Sequence, residues 1–172
     1  MNTTILRKLE RNFEGYIGTS MLFAYTGLIG YTILSRSAPW DPPTYTLTVT
    51  LYLFTWMTWL AAGWAIRHDS HFRFTLLREN LSPQANYLLR YIDLVGWVFF
   101  ATIVAWYIFE TLQRRLESGR EILGTPIPLW TAYLAVFVGM ILIIVRALQK
   151  AILVRRQYKN DEDITPTSKV DI

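Results

Sequence analysis

The sequence predicts an all-α integral membrane protein with four transmembrane helices, and three observations carry that prediction. Apolar and aromatic residues make up 52% of the 172-residue chain. They collect in four runs, at 16–34, 45–66, 94–109 and 129–145. A hydrocarbon core about 30 Å thick takes roughly 20 helical residues to cross, so each run is of spanning size once its flanks are included. The basic residues, finally, sort by segment. Thirteen of the 17 Lys and Arg lie on the N-terminal arm, around the connection between spans two and three, or after span four, and four lie on the other two connections. The positive-inside bias therefore places both termini in the cytoplasm.

The elements follow in order. Residues 1–14 form an amphipathic arm in which Ile5, Leu6, Leu9 and Phe13 share one helical face among Arg7, Lys8, Glu10 and Arg11. Such a segment suits the headgroup plane or a first extension of span one. The membrane domain occupies 15–152, with spans at about 16–36, 45–67, 86–112 and 128–150. Span one carries Ser20, Ala24 and Gly27 at helical spacing, where a neighbouring backbone can approach closely. Span two has no charge before Arg67, and its threonines can bond back to their own helix.

An interfacial segment at 70–82, bearing Phe72, Phe74, Leu76, Leu77 and Leu81, links spans two and three. Ser82 followed by Pro83 has the form of an N-cap with proline at the first helical position. Residues 84–113 as one helix would be about 45 Å long, so span three tilts or projects from the membrane. Arg90 and Asp93 sit three apart near its cytoplasmic mouth, as an exposed pair of small energetic weight. Pro126 and Pro128 precede span four, with Trp130 at the interface. The tail, 153–172, is polar and expected to be disordered.

The chemistry the residues allow is narrow. There is no cysteine, which removes disulfides, thiolate metal sites and cysteine nucleophiles. Both histidines, His68 and His71, fall in "WAIRHDSHFRF", where span two ends. Two ligands on one turn, with only Asp69 close by, fall short of the three or four that zinc takes. A bis-histidine haem would need histidines inside facing spans. No nucleophile–base pair, phosphate loop or paired-carboxylate site stands out, so catalysis, a resident metal and a cofactor are not expected. Basic charge arranged by topology gives no reason to expect nucleic acid. Asp93 and Glu110 lie towards the ends of span three, and an ion-coupled carrier places its acids near the midplane. The chain has the character of a helper subunit. A membrane anchor for a redox complex and a small self-assembling carrier are the other readings the residues leave open.

Several stretches together resemble the small membrane subunit of the tripartite ATP-independent periplasmic (TRAP) transporters. In "YTILSRSAPWDPPTY", Trp40 takes the position of that family's tryptophan before span two. "WLAAGWAIRHDSHFRFTLL" follows with Arg67 and His71 in the R-x-x-x-H spacing. "TPIPLWTAYLAVFVGMILII" is similar to the start of the family's last span, including Pro128, Trp130 and Gly139. The chain departs from the pattern at Tyr31-Thr32, at Pro42-Pro43 in place of paired glutamates, at Ala61 and at Thr75.

What the resemblance implies is a subunit of a three-part importer in a bacterial or archaeal cytoplasmic (inner) membrane. A periplasmic solute-binding protein would deliver an organic acid or related solute. A large membrane subunit would carry it inward by an elevator motion coupled to sodium, with the coupling residing in that large subunit. This chain would be the static scaffold, braced by membrane lipids. The expected interface residues are Trp40, Arg67, His71, Arg73, Arg90, Asp93, Pro128 and Trp130.

Overall fold

The computed structural model describes residues 3–37, 44–67 and 82–160, with side chains from residue 12 onward. These residues form four helices: α1 (Thr3–Ser37), α2 (Thr46–Arg67), α3 (Pro83–Ser118) and α4 (Trp130–Lys159). Each contains a stretch long and apolar enough to cross a membrane. Among the described residues the one departure from helix and turn is an isolated bridge between Glu121 and Pro128.

α1 packs on α2, α2 on α4, and α4 on α3, so the helices stand in an open row ordered α1, α2, α4, α3. Their directions follow from which residues meet. Gly15 lies against Trp64 while Tyr25 meets Phe54 with ring centroids 5.8 Å apart, so α1 and α2 are antiparallel. Trp59 touches Gly139 and Gly63 touches Leu142, so α2 and α4 run parallel. Phe109 against Phe137 and Tyr91 against Ala151 make α3 and α4 an antiparallel hairpin. One end of the row therefore gathers Arg67, Arg146, the start of α1 and the end of α4, and is called here the basic end. The other carries the 119–129 loop, the loop end.

Apolar burial drives helices together weakly when lipid is as apolar as a leucine side chain, so close van der Waals packing has to hold them. The sequence provides for it with small residues. Ala101 and Ala105 of α3 pack with Met140, Ile143 and Ala147 of α4 in the core, which Ile66 and Leu94 complete. Between α2 and α4 the approach is tighter still. A Cβ on Gly139 would stand 2.5 Å from that of Trp59, closer than side chains tolerate. Hydroxyls are satisfied locally: Thr50, Thr55 and Thr58 donate to carbonyls four residues back at 2.7, 2.9 and 2.8 Å. That is the behaviour expected of span two.

The local signals at the helix ends hold. Ser82 is the N-cap of α3, with extended backbone and a side chain accepting from the Ala85 N–H at 3.3 Å, and Pro83 opens the helix. Gly119 closes α3 in the left-handed conformation, φ 58°, which glycine adopts without strain. The loop then folds back on itself, with Ile122 N–H donating to Ile127 O at 2.8 Å and Leu129 N–H to Arg120 O at 2.8 Å. Gly124, φ 78°, rests on Thr44 and Tyr45 at the start of α2, so the loop is seated rather than free.

Of the two readings of the amphipathic arm, the structure has the extension of span one: arm and span are one uninterrupted helix, because nothing between Glu14 and Tyr16 breaks it; Gly15 is tolerated there and lets Trp64 come close. Two features differ from the sequence reading. α4 continues through Lys159, past the expected end at 150 and into the expected tail. Tyr158 stacks on Tyr87 at 4.2 Å, which gives those last turns a tertiary contact. Arg90, expected to be exposed, is 4% exposed. It lies on the α3 stripe with Asn86, Leu94 and Ala101 that packs on α4. The interfacial segment, except Ser82, lies outside the described residues.

Candidate functional site

A buried ionic cluster joins the two termini's helices at the basic end. The α4 seam that packs inward runs through Ala135, Gly139, Ile143, Arg146 and Ala147 at three- and four-residue spacing, which turns Arg146 towards the row. Its Nη2 lies 2.6 Å from Glu14 Oε1, and its Nε donates to the same oxygen at 2.7 Å. Nη1 donates to Gln149 Oε1 at 2.7 Å, one turn along the same helix. Glu14 is 1% exposed and Arg146 6%. Glu14 Oε2 is buried and accepts no hydrogen bond among the described residues. A charge buried this deeply persists because its partner is held against it, and removing either leaves the other uncompensated.

This pair links α1 to a helix that is not its neighbour in the row. Beside it, the indole of Trp64 fills the space that Gly15 leaves open. Arg67 is four residues beyond Gly63, just as Arg146 is four beyond Leu142, so the two arginines are level on parallel helices. Arg67 is half-buried and has interaction partners in the fold, as do Arg90 and Asp93.

Farther out along the α3/α4 hairpin an aromatic cluster ties the first turns of α3 to the last turns of α4. Tyr87 stacks on Tyr158, Tyr91 lies 4.8 Å from Tyr87, and the Tyr91 hydroxyl donates to Ala151 O at 3.0 Å. Tyrosines at this position, with Arg155 and Arg156 exposed on the same helix, suit a membrane–water interface.

The loop end is built differently. Ile122 is buried, while Leu123 at the tip is 82% exposed. Pro128 belongs to the bridge with Glu121, and its carbonyl accepts from the Thr131 hydroxyl at 2.7 Å. Trp130 begins α4, half-buried. On α3, Arg114 meets Glu110 at 3.2 Å with both side chains exposed, and Arg115 lies over the Tyr133 ring, 5.5 Å from its centre.

The sequence-derived residues thus divide. Arg67 stands level with the Glu14–Arg146 cluster, Arg90 and Asp93 lie on α3 at the basic end, and Pro128 and Trp130 mark the loop end. Trp40, His71 and Arg73, with His68, lie outside the described residues. Glu14 and Arg146 were missed, since each reads as a flanking charge at the end of an apolar run. The available signal was that Glu14 is the last charge before the uncharged run of span one, and Arg146 the first charge after that of span four. Ser20, Ala24 and Gly27 are exposed, and among the described residues a Cβ on Gly27 would meet nothing within 4 Å. Among the described residues no group of three or more potential ligands could hold a metal ion.

No curated protein matches the chain. A family model does, over residues 25–157, which takes in the latter part of α1, all of α2 and α3, the seated loop and α4 as far as residue 157, so that Arg146 falls inside it and Glu14 outside. The four helices long and apolar enough to cross a membrane agree with it. The chain is a multi-pass membrane protein that belongs to the family of the DctQ component, the small subunit, of the tripartite ATP-independent periplasmic transporters.

Proposed function

We propose that this chain is the static scaffold for the large, elevator-type subunit of an ion-coupled importer. The observation that carries the reading is the open row itself, braced across its basic end by the Glu14–Arg146 pair. A carrier working alone would enclose a polar path between its helices. Here α2, uncharged before Arg67, sits inside the row, Gly63 and Gly139 are spent on tight helix contacts, and large apolar side chains cover the outside. A plate of this kind suits a fixed platform beside which another domain moves.

In this reading a periplasmic binding protein delivers an organic acid or related solute, and the large subunit carries it with sodium. The loop end, with Pro128, Trp130 and Trp40, faces the binding protein. The basic end, with Arg67, His71, Arg73, Arg90 and Asp93, faces the cytoplasm together with both termini, in the inner membrane. The support for this orientation is the concentration of Lys and Arg at that end.

The test is purification of the tagged chain from its native membrane in mild detergent, with mass spectrometry of what accompanies it. A large polytopic subunit near one-to-one ratio is expected. Recovery of the chain alone, or with redox subunits, refutes the scaffold.

A further inference from the structure

The outward face of α3 is out of register with the membrane that the other three helices define. Charges bracket the uncharged run of α1 at Glu14 and Arg36, Arg67 ends α2, and α4 carries no charge before Arg146. These marks coincide in space. Glu14 pairs with Arg146, Arg67 is level with both, and Gly124 seats on Thr44 and Tyr45 at the opposite end. The enclosed runs are of about 20 residues, or roughly 30 Å of helix, the thickness of a hydrocarbon core.

α3 does not keep to these limits. Tyr91 meets Ala151, Phe109 meets Phe137 and Arg115 meets Tyr133, which sets Glu110 opposite Val136 and Phe137. That level is ten residues from Arg146 along α4, about 15 Å at the helical rise, and so close to mid-depth between the two ends, which corrects the end-of-span position expected of Glu110 from the sequence. Yet Glu110 and Arg114 are exposed, their side chains 47% and 73% accessible. They continue the stripe of Phe99, Ile103 and Trp106, which recurs every three or four residues on the side of α3 turned away from α4. Charged groups at this depth facing lipid are costly, and such groups in membrane proteins pair with protein or line a watered interior.

We infer that the stripe of α3 centred on Ile103, Trp106, Glu110 and Arg114 is the seat of the large subunit, through a transmembrane helix that offers hydrogen-bonding or charged groups at the depth of Glu110. The inference rests on the scaffold reading and adds to it which edge of the row is occupied. Apolar packing along Ile103 and Trp106 supplies the contact area, and the Glu110–Arg114 pair supplies polar recognition that lipid cannot. The opposite edge, where Tyr16 and Phe23 of α1 are exposed, faces lipid.

The absence of cysteine permits single-cysteine probes without first removing native thiols. The experiment uses the chain with its large subunit in nanodiscs and a fluorophore on Trp106→Cys or, as control, Phe23→Cys, with brominated lipid as quencher. A photo-crosslinker at Ile103 reports independently of Trp106. The expected result is quenching at both cysteines in the chain alone, loss of quenching only at position 106 in the complex, and an Ile103 crosslink to the large subunit. Quenching retained at 106 and lost at 23, or an Ile103 crosslink only to lipid or to a second copy of this chain, overturns the seat while leaving the scaffold standing. Failure of any large subunit to co-purify overturns both.

Discussion

Two ion pairs among the described residues are opposites. Glu14 and Arg146 stand 132 positions apart in sequence, are almost wholly buried, and share a short contact supported by Gln149. Glu110 and Arg114 lie one turn apart on α3, are exposed, and meet at a looser 3.2 Å. The first pair is made within the fold and cannot be reached from outside. The second does little for the fold, since exposed pairs at this spacing contribute roughly 0.3–0.5 kcal/mol. Similar chemistry thus serves internal bracing at one end and is left for something external on the edge. The difference lies in burial and sequence separation, not in the residues used.

Breaking the buried member has the largest expected effect. Arg146→Ala leaves Glu14 buried without its partner and is expected to destabilise the chain by about 3–5 kcal/mol. It would appear as loss of detergent-stable monomer in thermal unfolding or size-exclusion profiles. The exchange Glu14→Arg with Arg146→Glu should recover part of that loss; no recovery would mean that packing, rather than charge, makes the site sensitive. Next comes Gly139→Ala. Its new methyl meets Trp59, and overpacking of this kind costs about 1–3 kcal/mol. Gly27→Ala, where space is open, should leave the melting temperature unchanged. Equal shifts in the two variants would contradict the close α2–α4 contact.

Smaller effects sharpen the contrast. Tyr158→Ala removes the stack on Tyr87 and is expected to cost about 0.5–1.5 kcal/mol beyond lost area. Its signature is faster hydrogen exchange over 151–159 with little change at Ile143. Smallest of all for the isolated chain is Glu110→Ala, expected to cost well under 1 kcal/mol. That variant separates the two pairs most cleanly. Unchanged stability with weakened recovery of the large subunit fits an external role, whereas a loss of stability comparable to that of Arg146→Ala would erase the distinction.

The four helices were legible because their signals are local and strong. Runs of spanning length, the Ser82–Pro83 cap and the hydroxyls that bond back along α2 all depend on residues within a turn of one another. The row order was not legible. Nothing in the sequence says that α4 stands between α2 and α3; that depends on Gly139 fitting Trp59 and on alanines matching across the α3/α4 contact. The ion pair was hidden for a related reason. Glu14 sits in a charged arm and Arg146 at the start of a basic tail, where each looks like ordinary flanking charge. Arg90 shows the converse: its helical position placed it near a water-facing mouth, but the residues at 86, 94 and 101 on the same stripe turned it inward. The end of α4 was misjudged because polarity suggested a tail, while a tertiary stack on Tyr87 extends the helix.

The long separation of Glu14 from Arg146 also has a history in time. At about 5–20 residues per second, synthesis delivers the arginine on the order of ten seconds after the glutamate. The α1/α2 hairpin can form in that interval, since its contacts are nearby in sequence, but its carboxylate has no arginine to meet until α4 arrives. The last helix to be made therefore fixes the first one in place, and a chain interrupted before Arg146 would be left with a hairpin whose acidic end stays at the water's edge.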